Sequence, residues 1–403
     1  MLSHRGHRGH RGHRGSGTEE CSPSSLRLCV LLLCGLCGLC GFVSLPTSQA
    51  VADEVDDWRA AAIEAIEKGN AAEAAALIER VLARRPDDQE ARFGLGVCYF
   101  RLNEPLKARA ALEEVLAADP RHVMALEVLG RLDYDEDRTA TAIARWRAAL
   151  EIDPENARVK DLLAKAEREH AVEEGFREDY TQHFRLRFDG DAAGAGGDPR
   201  EVERRVGALL EAAYERVGAS LGHYPRGEIT AVLYADRTFY ALTGSHAWVG
   251  GLFDGKIRIP AKDAFKADAE ALRRVCFHEY AHAAVHSIAP QCPAWLQEGL
   301  AQHYEGAPLD ADLLRGAAAS QGLLALADLD APFVSQADAG RARLAYAQSH
   351  AFIEHLLAAH GTAPLLPFLE AIGRGAAVAE AFESAYHRPL GEAFDAFRAG
   401  FGR

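Results

Sequence analysis

Residues 276–282 read Cys-Phe-His-Glu-Tyr-Ala-His. On a helix, residues four apart share one face, so His278 and His282 can hold one divalent cation between their rings. Glu279 follows the first histidine and can point at a water on that ion, which makes metal-assisted hydrolysis the chemistry in view. A catalytic zinc also needs a third protein ligand and an open position. His286 continues the stripe, but at about 1.5 Å of rise per residue it lies about 12 Å from His278 along the axis, too far to share one ion. Glu298 stands further on in CPAWLQEGLAQHYEG (292–306), where Pro293 suits the first turn of a new helix that folds back against the first. On the five residues alone, a solvated helix face rich in His and charge is the competing reading.

HExxH on a helix is the zinc-protease motif. The metzincin extension needs Gly and His three and six positions after the second His, where this chain has Val285 and Ile288. Trp295, Glu298, Gly299 and Ala301 follow in the order WxxEGxA. HExxH, a short gap and WxxEGxA together resemble the glutamate-ligand zincins, or gluzincins. The gap is shorter than in the aminopeptidases and suits the group of peptidase MA-like domains. The resemblance covers roughly 181–400 in layout and is motif-grade over 276–305. It implies one Zn2+ per chain held by His278, His282 and Glu298, with Glu279 as the general base that activates water and returns a proton to the leaving amine. It further implies an oxyanion donor from a later helix. LAYAQSHAFIEHLL (344–357) offers Tyr346 and His350, with Tyr346 preferred because YAQSHAF resembles the Tyr-containing helix of the MA-like domains. Packing or surface roles compete for each of these two residues. Metal-bound histidines need a partner on the other ring nitrogen, and Gln302 and Glu305 are the candidates. A peptide or protein substrate is implied, adding as an extra strand to GKIRIP (255–260); a plain edge strand is the equal alternative. YALTGSHAWVGGLFDG (240–255) lacks the GxMEN-type loop that captures a free N-terminus, so an endopeptidase is expected rather than an aminopeptidase.

These residues need elements to place them. HFRLRFDG (183–190) and EITAVLYAD (228–236) read as strands, GDAAGAGGD (190–198) as a loop, and EVERRVGALLEAAYERVGASLG (201–222) as an amphipathic helix. Asp254-Gly255 between apolar runs signals a hairpin. From 268 onward the pattern is almost entirely helical, which makes 176–403 an α+β domain with segregated elements. Upstream, Pro86, Pro120 and Pro154 recur at steps of 34 residues, as do Ala74, Ala108 and Ala142. Leu95-Gly96 returns as Leu129-Gly130, and Trp58 sits early in the first unit. This period resembles the tetratricopeptide repeat. It implies about three helical hairpins over 53–175, closed by a capping helix at 157–174, stacked into a solenoid with a surface for protein partners. The expected architecture is an all-α tetratricopeptide-repeat solenoid followed by an α+β zincin-like metallopeptidase domain with a helical C-terminal part.

Residues 1–52 hold four HRG repeats (4–15), then Arg27 and an apolar run, with small residues at Ser48 and Ala50 that suit signal-peptidase cleavage. Export to the periplasm or exterior is expected, with an uncleaved membrane anchor over 28–45 as the alternative. The chain has 403 residues and a net charge of −14; the five Arg and two Glu of the leader make it +3, so the remainder carries −17. An acidic body argues against nucleic acid. The body keeps Cys98, Cys276 and Cys292, too few for a disulfide scaffold, and buried free thiols are favoured over a Cys276–Cys292 bridge. Two functions compete. One is an exported zinc metallopeptidase whose repeats recruit a substrate or partner. The other is an interaction scaffold built on the repeats with an inactive peptidase-like domain. The presence of all three ligands and the base favours the first.

Overall fold

A computed structural model describes residues 48–190, 199–244, 251–261, 269–330 and 338–402. The leader up to residue 47, with its HRG tract and apolar run, lies outside the described residues, as do 191–198 of the Gly-rich loop and 245–250 of the segment before the hairpin. Among the described residues no helix is long and apolar enough to cross a membrane.

Six helices form three hairpins. They are α1 (Ser48–Glu67) with α2 (Ala71–Arg84), α3 (Gln89–Arg101) with α4 (Pro105–Ala118), and α5 (Val123–Asp135) with α6 (Thr139–Ile152). A seventh, α7 (Ala157–Glu173), caps the stack. The 34-residue period has a physical cause at each recurring position. Ala74, Ala108 and Ala142 are fully buried where helices cross. The small residue at Gly130 lets α5 and α6 touch, since a Cβ there would stand 2.3 Å from Trp146 Nε1. Asp88, His122 and Asn156 differ chemically, yet each side chain accepts the N–H of the third residue after it and caps the next helix. Gly69, Asn103 and Asp137 all take left-handed backbone in the turn within a hairpin.

The second region holds a five-stranded sheet in the order β1-β2-β3-β5-β4, made of β1 (Arg177–Tyr180), β2 (Phe184–Phe188), β3 (Ile229–Tyr234), β4 (Leu252–Phe253) and β5 (Ile257–Pro260). β2, β3 and β5 run parallel, and β1 and β4 join antiparallel at the two edges. Helix α8 (Pro199–Leu221) links β2 to β3, and α9 (Asp236–Thr243) follows β3. The rest is helical: α10 (Ala269–Ile288), α11 (Ala294–Glu305), α12 (Ala311–Ala319), α13 (Ala339–His360), α14 (Leu365–Gly373), α15 (Val378–Tyr386) and α16 (Leu390–Ala399). Strand alternation sorts the side chains. Phe184, Leu186, Phe188, Ala231, Leu233, Ile257 and Ile259 share one core with α8, α10, α11 and α13. The opposite face presents Arg185, Arg187, Lys256 and Arg258 toward the repeats.

Residues 53–403 form one compact unit, because that second face is covered by the repeats. Arg258 is 1% exposed and reaches Glu169, Glu173 and Asp254 at 2.8, 2.9 and 2.9 Å. Lys256 is fully buried on Asp137, and Arg187 pairs with Glu173 at 2.8 Å. GKIRIP is therefore not the free edge expected of it. Ile257 and Arg258 pair with β3 on one side and β4 on the other, and the outer edge belongs to Leu252–Phe253. The cysteines Cys98, Cys276 and Cys292 are unbridged.

Candidate metal centre

Helix α10 buries Cys276, Phe277, Tyr280, Ala281, Ala284 and Val285 in the core, which turns His278 and His282 toward α11. Helix α11 starts after extended Pro293 and ends at Gly306 in left-handed backbone. Its buried Trp295, Leu296 and Leu300 press it against the core, and Glu298 faces the two rings. His278 Nε2 and His282 Nε2 stand 3.2 Å apart. Glu298 Oε2 lies 3.6 Å from the first and 3.5 Å from the second. This buried oxygen has no hydrogen-bond partner. Two imidazole nitrogens and an orphaned carboxylate oxygen, all within 4.8 Å of one another, form the donor set that zinc takes. Among the described residues no other group of three such side chains converges in this way.

The far side of each ring is also held. His278 Nδ1 lies 2.7 Å from Glu305 Oε2, and His282 Nδ1 lies 3.2 Å from Gln297 Oε1. An N–H given from Nδ1 leaves the lone pair on Nε2, pointing into the cluster. Glu305 thus sits where the sequence placed an outer partner. Gln302 is not among the hydrogen-bond partners of either ring, and Gln297 stands in the place expected of it. Helices α10 and α11 run antiparallel, so the start of α11 meets His282 and its end meets His278, and residue 302 falls between.

Charges in the cluster shape one another. Burial opposes ionisation of Glu298, but the two histidines outweigh it and hold its carboxyl at about 2. Burial likewise disfavours charge on His278 and His282, yet the surrounding carboxylates, Glu298 above all, pull both upward. Glu279 is 4% exposed, and burial raises its pKa despite the neighbouring histidines. Its Oε2 has no hydrogen-bond partner.

Helix α13 brings the remaining pair. Tyr346 is pushed up first by burial and then by Glu298, Glu279 and Glu305, which places its hydroxyl in the field of the cluster and keeps it protonated. His350 turns elsewhere: its Nε2 is 3.4 Å from Glu354 Oε1, an oxygen that also takes His303 Nδ1 at 2.6 Å. The structure therefore brings His278, His282, Glu298 and Glu305 into direct contact, with Glu279 buried beside them, and Tyr346 within their electrostatic reach. His350 lies one turn away, on a carboxylate that it shares with His303.

Fold and site together define a helical-repeat array joined to an α+β domain with a two-histidine, one-glutamate cluster. Residues 222–399 match the family model described as Peptidase MA superfamily, and residues 59–123 and 99–157 match that of the tetratricopeptide repeat. The chain carries a peptidase MA superfamily domain behind tetratricopeptide repeats. No curated protein matches the chain.

Proposed function

We propose that this chain is a zinc-dependent metallopeptidase, acting as an endopeptidase. The observation that carries this reading is Glu298 Oε2, buried and without a hydrogen-bond partner opposite two converging histidine nitrogens. His278, His282 and Glu298 would hold the ion, which when bound lowers the pKa of water and polarises a carbonyl. Glu279, buried beside the two histidines, takes a proton from the attacking water and delivers it to the leaving amine. Tyr346 keeps its proton and is the donor available as charge develops on the carbonyl oxygen. Glu305 and Gln297 fix the ring orientations. The outer strand at Leu252–Phe253, rather than β5, is where an extended peptide would add. The repeats offer a protein partner or the substrate their remaining surface, and Arg27 with the apolar run 28–45 supports export.

Elemental analysis of the full chain tests the ligand set. One zinc per chain is expected, falling sharply in Glu298→Gln. Glu279→Gln should retain the metal and lose casein hydrolysis. A folded wild-type chain that takes up no zinc when supplied with it would overturn the proposal and favour the scaffold alternative.

A further inference from the structure

The carboxylate of Glu279 is packed against the backbone of Gly251, the buried residue that leads into β4. A Cβ on Gly251 would stand 2.5 Å from Glu279 Oε1 and 2.7 Å from its Cδ and Cγ. No left-handed φ sets Gly251 apart, so backbone strain is not what asks for glycine here. What excludes a side chain here is Glu279 itself.

The segment bearing Gly251 has little freedom to retreat. Leu252 and Phe253 pair with Arg258 and Ile257. Phe253 lies edge-on to the His286 ring, centroids 5.3 Å apart, which ties β4 to the helix that carries the two histidines. Asp254, in the hairpin turn, accepts from Lys165 Nζ of α7 at 2.7 Å and from Arg258 Nε at 2.9 Å. Gly255 sits at φ 102°, where a Cβ would be 3.4 Å from Asp135 Oδ1 of α5. The hairpin is thus held at its turn by the third repeat and the capping helix, and along its side by α10.

We propose that Gly251 is a positioning residue for Glu279: the bare backbone at 251 is the wall that fixes where the carboxylate stands. This rests on Glu279 being the base of the proposed reaction. A general base must be within hydrogen-bond reach of the proton it takes, and a displacement of about 1 Å costs on the order of 10²-fold in rate. An alanine methyl at 251 would force a displacement of that size.

Two readouts separate this from the functional reading. The first needs no substrate. Thermal unfolding of the full chain is compared for wild type, Gly251→Ala, Glu279→Ala and the double variant. Gly251→Ala should lower the midpoint by several degrees when Glu279 is present and change it little when Glu279 is alanine. An equal cost in both backgrounds overturns the proposal. The second readout is casein hydrolysis with zinc content measured beside it. Gly251→Ala should keep one zinc per chain and a KM within about threefold, and lose about 10²-fold in kcat. If kcat in Gly251→Ala is unchanged, the wall has no positioning role. An inert wild type defeats the peptidase reading, and the unfolding comparison still decides whether Gly251 confines Glu279.

Discussion

Tyr346 and His350 stand one turn apart on α13, and their surroundings separate them. Tyr346 lies in the field of Glu298 and Glu279, while His350 is bound to Glu354 and shares that carboxylate with His303. Removing one oxyanion donor costs on the order of 10²–10³ in kcat. Tyr346→Phe should therefore lower kcat by about that factor, with zinc content and KM nearly unchanged. Steady-state kinetics on casein beside metal analysis checks this, and an undiminished kcat would remove Tyr346 from the mechanism. The convergence of His278 and His282 could be read from spacing because a helix repeats its faces, whereas Glu279 and Glu298 were legible through the HExxH and WxxEGxA motifs. Gln297 could not be read this way. Its contact depends on how α11 crosses α10, and that crossing angle has no signature in the local sequence, so the sequence pointed to Gln302, the i+4 neighbour of Glu298.

At the scale of elements, Gly299 explains how the helix bearing Glu298 comes to lie against the helix bearing Tyr346. A Cβ on Gly299 would stand 2.6 Å from Ile353 Cγ1 and 2.7 Å from the Ser349 carbonyl oxygen. Backbone cannot move aside as a flexible side-chain end can, so the glycine is what lets α11 approach α13. Gly299→Ala should destabilise the chain by about 1–3 kcal/mol, the usual cost of overpacking, and should weaken zinc binding as well because α11 carries Glu298. Urea unfolding of the metal-free chain and a zinc titration test both effects; a loss of stability with zinc affinity untouched would confine Gly299 to packing. Helices and repeats were legible because their patterns are local: a 34-residue period in Pro and Ala, and apolar stripes. The short edge strand at Leu252–Phe253 was not. Two residues carry no alternation, and pairing partners are fixed by the sheet as a whole, so the sequence pointed at β5 as the edge.

For the whole molecule, the repeats are bound to the domain beside them. Their hairpin turns at 69, 103 and 137 occupy equivalent positions, and each meets the second region. Gly375 packs on the Gly69 carbonyl oxygen, since a Cβ there would stand 2.3 Å away. Asn103 Nδ2 donates to the Ser287 carbonyl at 2.9 Å, at the end of α10. Asp137 accepts from Lys256 and pairs with Arg185 at 3.0 Å. One edge of the array is thereby used within the chain. Repeat motifs announce a binding surface without naming what fills it, which is why the sequence suggested only an outside partner. The buried centre of the contact is Arg258, whose fork spans Glu169, Glu173 and Asp254 and takes in the hydroxyls of Tyr134 and Tyr234. Burial opposes its charge, and Asp254, Tyr234 and Glu169 more than restore it. Removing one partner from such a network strands the others, at a cost of about 3–5 kcal/mol. Arg258→Ala should lose that much stability, and Arg258→Lys should recover only part of it, because an ammonium cannot span three carboxylates as a guanidinium does. Trp58 and Trp146 belong to the repeat sequence and Trp248 and Trp295 to the sequence of the second region, so replacing one pair by Phe leaves the other pair to report its own region by fluorescence. Coincident unfolding curves are expected for the parent chain and separated curves for Arg258→Ala. If the two regions already unfold independently with Arg258 present, the buried charges do not join them, and the repeats would be a tethered module.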